Sequence, residues 1–288
     1  MGTEEEHDTT APEWFAPPEL WPEFGMIALP PPICRRERTP TSTRWCLWPI
    51  CFELFSGDAE PDLSHAHSGA LAYNRIIMWK RVRRTDVPPH WHSIWRPQSW
   101  RKDGLVELTD SNYRLRWSKD AQRNAKKWDK HLGRTHSIKH VSFEEYKAAY
   151  KKSRTYKHVG VYLLATLGRQ YALPEVRPHI EFFVVENNET NAIVAGNAII
   201  TSPTYNSTTR MCTFIYEEAR STEAMTGLVD YWFKDSLKRG IKNLVFMYFW
   251  QPGEPREWKG FSTFKSHFVE RYITYPPIVW RFQKGRLF

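Results

Sequence analysis

The residues best suited to chemistry lie in one stretch, 250–277, reading WQPGEPREWKGFSTFKSHFVERYITYPP. Phenylalanines stand at 261, 264 and 268, a spacing that predicts three aromatic rings on one helical face. Lys265 stands beside that stripe, where an ammonium can point into a cleft rather than into open water. A cation held there suits a developing oxyanion or a bound anion; a solvated helix lysine is the plain alternative. Phe264 would wall the same pocket or serve as core. Ser262 can cap the short helix or line the site. Arg256 and Lys259 can hold phosphate or carboxylate, or stand as surface charge, and Trp250 and Phe261 complete the candidate lining.

Those residues need elements to hold them. Leu244 to Phe249 is an apolar run that predicts a buried strand, and Pro252, Gly253 and Pro255 then break the chain. Arg271 to Tyr275 predicts a second strand, ended by Pro276 and Pro277. Upstream, a β-meander is expected over Ile180–Val185, Ala192–Thr201 and Met211–Glu217, with a turn cluster at residues 186–190. Ser221 is expected to cap a helix running through Arg239, which Gly240 ends, with Met225, Leu228, Val229, Trp232 and Leu237 on its buried face. Further back, Ser118 caps a basic helix within residues 117–131, whose apolar edge is Ala121, Ala125 and Trp128. Ser142 and Glu145 form a capping box for a helix over residues 142–152, and another helix is expected over 156–170. Residues 43–108 read as short strands, with an edge strand or bulge in 44–55 and a strand in 74–84. The expected fold is α+β, a mixed sheet flanked by helices.

Residues 1–42 read as a proline-rich tail, expected to be disordered. Trp14, Phe15, Trp21 and Phe24 raise the alternative of a strap across the folded body. The expected organisation is therefore the tail to 42, a strand-rich partial N-terminal lobe over 43–115, and the main lobe over 116–288.

Composition narrows the partners. There are 41 Lys and Arg against 32 Asp and Glu, a net charge of +9, which suits an anionic partner such as tRNA, a nucleotide-linked precursor or an anionic membrane surface. Aromatic residues make up 15%, which favours a folded chain over a disordered one. The cysteines Cys34, Cys46, Cys51 and Cys212 form no C-x-x-C pair, which leaves a zinc ribbon unsupported and suits a reducing cytoplasm. His90 and His92 form an H-x-H pair that a strand would place on one face. No third metal ligand is evident, so ordinary polar surface is the reading, and His65 and His67 get the same one. No long uncharged apolar run predicts a membrane span, and the acidic start at Glu4–Glu6 and Asp8 has the wrong sign for a secretory signal.

The string Gly260-Phe261-Ser262-Thr263-Phe264-Lys265-Ser266-His267-Phe268, placed after a buried strand and a polar turn, resembles the closing motif of the FemABX peptidyltransferases. These are built on the GNAT acyltransferase fold and add amino acids to peptidoglycan precursors. The resemblance covers the second half of the chain well and the first hundred residues poorly. It implies a GNAT-like C-terminal lobe and a short or degenerate N-terminal one. It also implies N-acyl transfer, an aminoacyl-tRNA donor, a peptidoglycan precursor as acceptor, and peripheral contact with the inner membrane face. By resemblance Lys265 matches the family's F-K lysine near the acyl transfer site. Departures are Trp250-Gln251-Pro252-Gly253 at the turn and Val269 after Phe268, and they put the substrate in doubt more than the fold. No cofactor or metal is implied. Acetyl-CoA is less expected, because 217–223 (EEARSTE) has no glycine and three carboxylates where a pyrophosphate would sit. Two other classes stay open: an acyl-CoA-dependent GNAT with a different phosphate contact, and a non-catalytic basic module binding RNA or an anionic envelope component.

Overall fold

The computed structural model describes residues 11, 12, 15, 36–38, 42–47, 50–56, 59–61, 74–81, 83, 86–93, 102–252, 254, 256 and 259–284. Trp14, Trp21, Phe24, His65, His67, Gly253, Pro255 and Trp258 lie outside the described residues. The chain divides into two units, one of residues 1–103, 248–259 and 272–288, the other of residues 104–247 and 260–271. The boundary thus falls at 103/104 rather than 115/116, and the C-terminal segments return to the first unit.

The first unit is a sheet. Its strands are β1 (Arg36–Arg38), β2 (Ser42–Leu47), β3 (Ile50–Ser56), β4 (Asn74–Lys80) and β5 (His92–Ser93), joined by β13 (Val279–Gln283). Their order is β1-β2-β3-β4-β13-β5, with β3 and β4 parallel and the other neighbours antiparallel. The apolar run within 44–55 is therefore a hairpin of two strands rather than one bulged strand. β4 alternates, burying Arg75, Ile77 and Trp79, and its core gathers Ile77, Trp79, Trp91 and Val279. Buried Arg75 is paired with buried Glu53 across the parallel ladder and donates to Gln283 Oε1 at 3.1 Å.

The proline-rich segment is not wholly a free tail. Ala11 and Phe15 are buried, and the Phe15 ring stacks on Tyr275 with centroids 6.0 Å apart. Arg83 donates to the carbonyls of Ala11, Pro12 and Phe15. Pro12 has no amide hydrogen to give, but its carbonyl accepts from Phe15 N at 2.9 Å as well as from the Arg83 guanidinium. Cys51 is disulfide-bonded and lies across the ladder from Cys46, so the cysteines are not all free thiols. His90 has a φ of 69° and precedes β5, so the two imidazoles do not share a strand face.

The second unit carries a seven-stranded sheet of order β12-β6-β11-β10-β9-β8-β7. The strands are β6 (Lys102–Glu107), β7 (His136–His140), β8 (Ile180–Asn187), β9 (Ile193–Ser202), β10 (Ser207–Ile215), β11 (Asn243–Phe246) and β12 (Arg271–Thr274). The helices are α1 (Lys119–His131), α2 (Phe143–Lys152), α3 (Val161–Tyr171), α4 (Ala224–Lys238) and α5 (Lys259–Ser266). β8 to β10 run antiparallel and β11 joins β10 in parallel, which makes the sheet mixed. This is the expected α+β arrangement, and the meander strands share one core with α4: Tyr231 meets Phe183 and Trp232 meets Phe246, each with rings 5.0 Å apart.

Local signals fix several ends. Ser118 Oγ accepts from Ala121 N, and Ser142 with Glu145 completes a reciprocal capping box. Before α4 the expectation fails. Residues 217–222 form a 3-10 turn, and Glu223, with a φ of 61°, is the N-cap rather than Ser221. One sheet face takes α4, with α1 packed on α4: a Cβ at Gly227 would lie 2.3 Å from the Trp128 ring. The other face takes α2, whose Tyr146 packs on Phe182 and Phe214.

Candidate active site

The site is built where two strands stop pairing. β10 and β11 are joined at Ser207–Asn243, Thr208–Leu244 and Thr209–Val245 and no further, although β10 continues to Ile215. Thr209 Oγ1 donates to Val245 O at 2.8 Å. Beyond that rung, the carbonyl of Met247 accepts from Lys265 Nζ at 2.5 Å. Lys265 is in the last turn of α5, where a cation opposes the negative end of the helix dipole. It is held partly buried at the end of β11.

The neighbours are aromatic and cationic. Phe264 and Phe268 meet edge to face at 5.1 Å. Phe268 is buried, stacks on Phe246 at 6.1 Å and meets Trp117 at 4.9 Å. The Arg210 guanidinium carbon lies 5.7 Å from the ring centroids of both Phe246 and Phe264, a cation–π contact with each. The turn after α5 is pinned to the start of α1, with Ser118 N donating to His267 O at 3.0 Å and Ser118 Oγ 2.8 Å from His267 Nδ1.

The predicted site residues fall into two groups. Lys265, Phe264, Ser262 and Phe261 belong to the second unit, and Trp250, Arg256 and Lys259 to the first. Phe261 is 49% exposed, so the three-ring stripe holds for Phe264 and Phe268 alone. The reason is that α5 ends at Ser266, and Phe268 reaches the core through a turn whose amide bonds Lys265 O at 3.0 Å. In the first unit, Trp250 Nε1 donates to Glu254 O at 3.1 Å, and Lys259 Nζ lies 5.5 Å from the Trp250 ring centroid. Arg256 is exposed.

Sequence reasoning missed several buried polar groups. One is Arg210 with Asn197, described below; the only signal was a charged and an amide residue inside apolar strands. The second holds α4 in place. Asp230 accepts from Tyr113 Oη at 2.9 Å, from Arg114 Nε at 2.5 Å and from Lys234 Nζ at 2.6 Å, and Arg114 also bonds Asp129. Burial alone would raise the Asp230 carboxyl, but the hydrogen bonds from Arg114 and Lys234 outweigh it and hold it below the usual range. The third lies in the first unit. Buried Asp103 accepts from Tyr275 Oη at 2.6 Å and from Tyr248 N at 2.8 Å, and Lys80 lies 5.5 Å from the Tyr275 ring centroid. Burial lowers the Lys80 ammonium to about 8, countered in part by Asp103.

No family model matches the sequence, and no curated protein matches it. Solved structures do match its fold. A crystal structure of FemX superposes with a TM-score of 0.60 at 10% identity, covering 84% of each chain. A conserved protein of unknown function from Bacteroides thetaiotaomicron superposes with a TM-score of 0.55 at 8% identity, covering 84% of this chain and 82% of the other. The chain therefore has a FemX-like fold, in line with the resemblance carried by residues 260–268.

Proposed function

We propose that the protein is an N-acyltransferase of FemABX type, moving an aminoacyl or other acyl group from an activated ester to an amine. The observation that carries this is Lys265, held on the Met247 carbonyl where the β10–β11 pairing stops and set in the F-K motif. In such a reaction the amine attacks the ester carbonyl carbon and the tetrahedral carbon bears an oxyanion. The C–O bond to the leaving alcohol then breaks, and the proton lost by the amine returns to that alkoxide. The Lys265 ammonium stabilises the oxyanion. Phe264 and Phe268 exclude water on its flank and strengthen the charge interaction.

The donor in this reading is an aminoacyl-tRNA, drawn by the +9 charge. The acceptor is an amine of a peptidoglycan precursor, in the cytoplasm at the inner membrane face. An acyl-CoA donor is less well supported. The turn before α4 carries Glu217, Glu218 and Glu223 and no glycine, although Glu217 is paired with Arg220 and Glu223 with Lys127.

The test is a transfer assay on purified variants. Losing one oxyanion contact costs about 3 kcal/mol, roughly a hundredfold in rate. Lys265→Ala is expected to lose about that while its circular dichroism stays unchanged. Lys265→Arg is expected to recover little, since a planar guanidinium does not replace a compact ammonium. Full transfer by a folded Lys265→Ala protein would overturn the reading. Thermal stabilisation by CoA alone would favour the acyl-CoA alternative, and by RNA alone the binding-module one.

A further inference from the structure

Arg210 is 7% exposed, and among the described residues its Nε and Nη1 have no hydrogen-bond partner. Burial lowers its pKa to about 10, countered by Tyr146 and by no carboxylate among the described residues. A buried cation without a counter-ion is costly to keep.

A second unpartnered group lies on the neighbouring strand. Asn197 is 1% exposed, and neither its Nδ2 nor its Oδ1 finds a partner among the described residues. Arg210 pairs with Ile199 across the β9–β10 ladder, so Asn197 is one diagonal step away, about 7–8 Å. Both project on the α4 face: Asn197 sits opposite Phe183, which packs on Tyr231, and Arg210 lies over Phe246, which packs on Trp232.

A bulge interrupts the ladder beside them. The register shifts between Met211 and Phe214, and Asn197 is the residue of 195–202 left without a partner on β10. Cys212, in the bulge, has a φ of 51°, and its carbonyl accepts from Tyr146 on the α2 face. The side chain that alternation would place opposite Asn197 is turned away.

These four atoms amount to donors from Arg210 Nε, Nη1 and Asn197 Nδ2, with one acceptor, Asn197 Oδ1. We infer that Arg210 and Asn197 form a substrate subsite for a carboxylate with a neighbouring N–H donor, as in a free amino acid or the C-terminal residue of a peptide. The carboxylate oxygens accept from the guanidinium and the amide nitrogen, and the N–H donates to Asn197 Oδ1. A phosphodiester fills the donors but, having no N–H or O–H, leaves Oδ1 unmatched. The inference deepens the acyl-transfer reading by giving its substrate an amino-acid or peptide carboxylate, and it rests on that reading for the role but not for the binding.

The experiment is calorimetric titration of the full chain with alanylalanine, with alanylalanine amide and with inorganic phosphate. Wild type is expected to bind the dipeptide saturably, and at least about tenfold tighter than its amide or phosphate. Arg210→Gln is expected to abolish dipeptide binding. Asn197→Asp places a carboxylate beside Arg210, so the variant is expected to stay folded and still lose the dipeptide. Lys265→Ala is expected to retain dipeptide affinity while losing transfer, which separates a failed subsite from a failed transferase reading. No saturable binding to wild type, equal affinity for dipeptide and amide, tighter binding of phosphate, or unchanged affinity in a folded Asn197→Asp protein would overturn the inference.

Discussion

At the scale of single residues, buried charges show what the core must hold. Asp230 is charged, nearly inaccessible and held by Tyr113, Arg114 and Lys234; removing its charge leaves Arg114 with Asp129 alone and Lys234 with solvent. Hydrogen bonds to a charged group are worth about 1.5–3 kcal/mol, and Asp230→Asn is expected to lower stability by an amount of that order in urea unfolding. Because its folded pKa lies below the unfolded value of 3.8, the stabilisation is present above about pH 3.8 and is lost as pH falls through the folded value. Wild type should therefore lose more stability in acid over that window than Asp230→Asn does; parallel curves would show that Asp230 contributes nothing. Lys80 works in the opposite sense. Its folded pKa of about 8 lies below the unfolded 10.5, so the folded state disfavours the ammonium. The penalty is full below pH 8 and relieved as pH rises toward 10.5. The rate of amine labelling at Lys80 should rise through pH 8, and a rise centred near 10.5 would refute this.

At the scale of elements, glycine decides how closely α1 and α4 approach. Alanine at an interior helix position normally gains about 1 kcal/mol over glycine. At Gly227 a Cβ would lie 2.3 Å from Trp128, a fully buried ring that has nowhere to move. Overpacking of this kind costs about 1–3 kcal/mol, so the clash outweighs the propensity. Gly227→Ala is expected to lower the urea midpoint, and a raised midpoint would mean that α1 yields. The caps of α1 and α2 were legible in Ser118 and Ser142 because capping is settled within four residues. The start of α4 was not. Ser221 has a suitable side chain, but the chain continues in a 3-10 turn to Thr222 and enters the helix through Glu223 in the left-handed region.

At the scale of the whole molecule, the first unit is assembled from three separated segments, and its sheet depends on the last. β13 lies between β4 and β5, pairing with both, and Tyr275 carries the stack with Phe15. Removing residues 272–288 is expected to abolish hydrogen-exchange protection in β4. Removing residues 1–38 is expected to cost stability too, since Phe15 and the carbonyls held by Arg83 go with it. Unchanged protection of β4 in the shorter chain would show that these contacts are incidental.

By itself, the sequence determined what depends on near neighbours: the meander and its turn, the cap of α1, the capping box of α2 and the buried run before residue 250. Hydrophobic period and side-chain capping act over a few residues, so their signals are written locally. Only the tertiary structure decided what depends on register between distant strands. The bulge at Cys212 shifts β10 against β9 and leaves Asn197 unmatched on β10, while Phe246 of β11 and Phe264 of α5 meet Arg210. No local pattern marks that position, because a strand residue's face and partners are fixed by pairing with another strand and not by its neighbours in the chain.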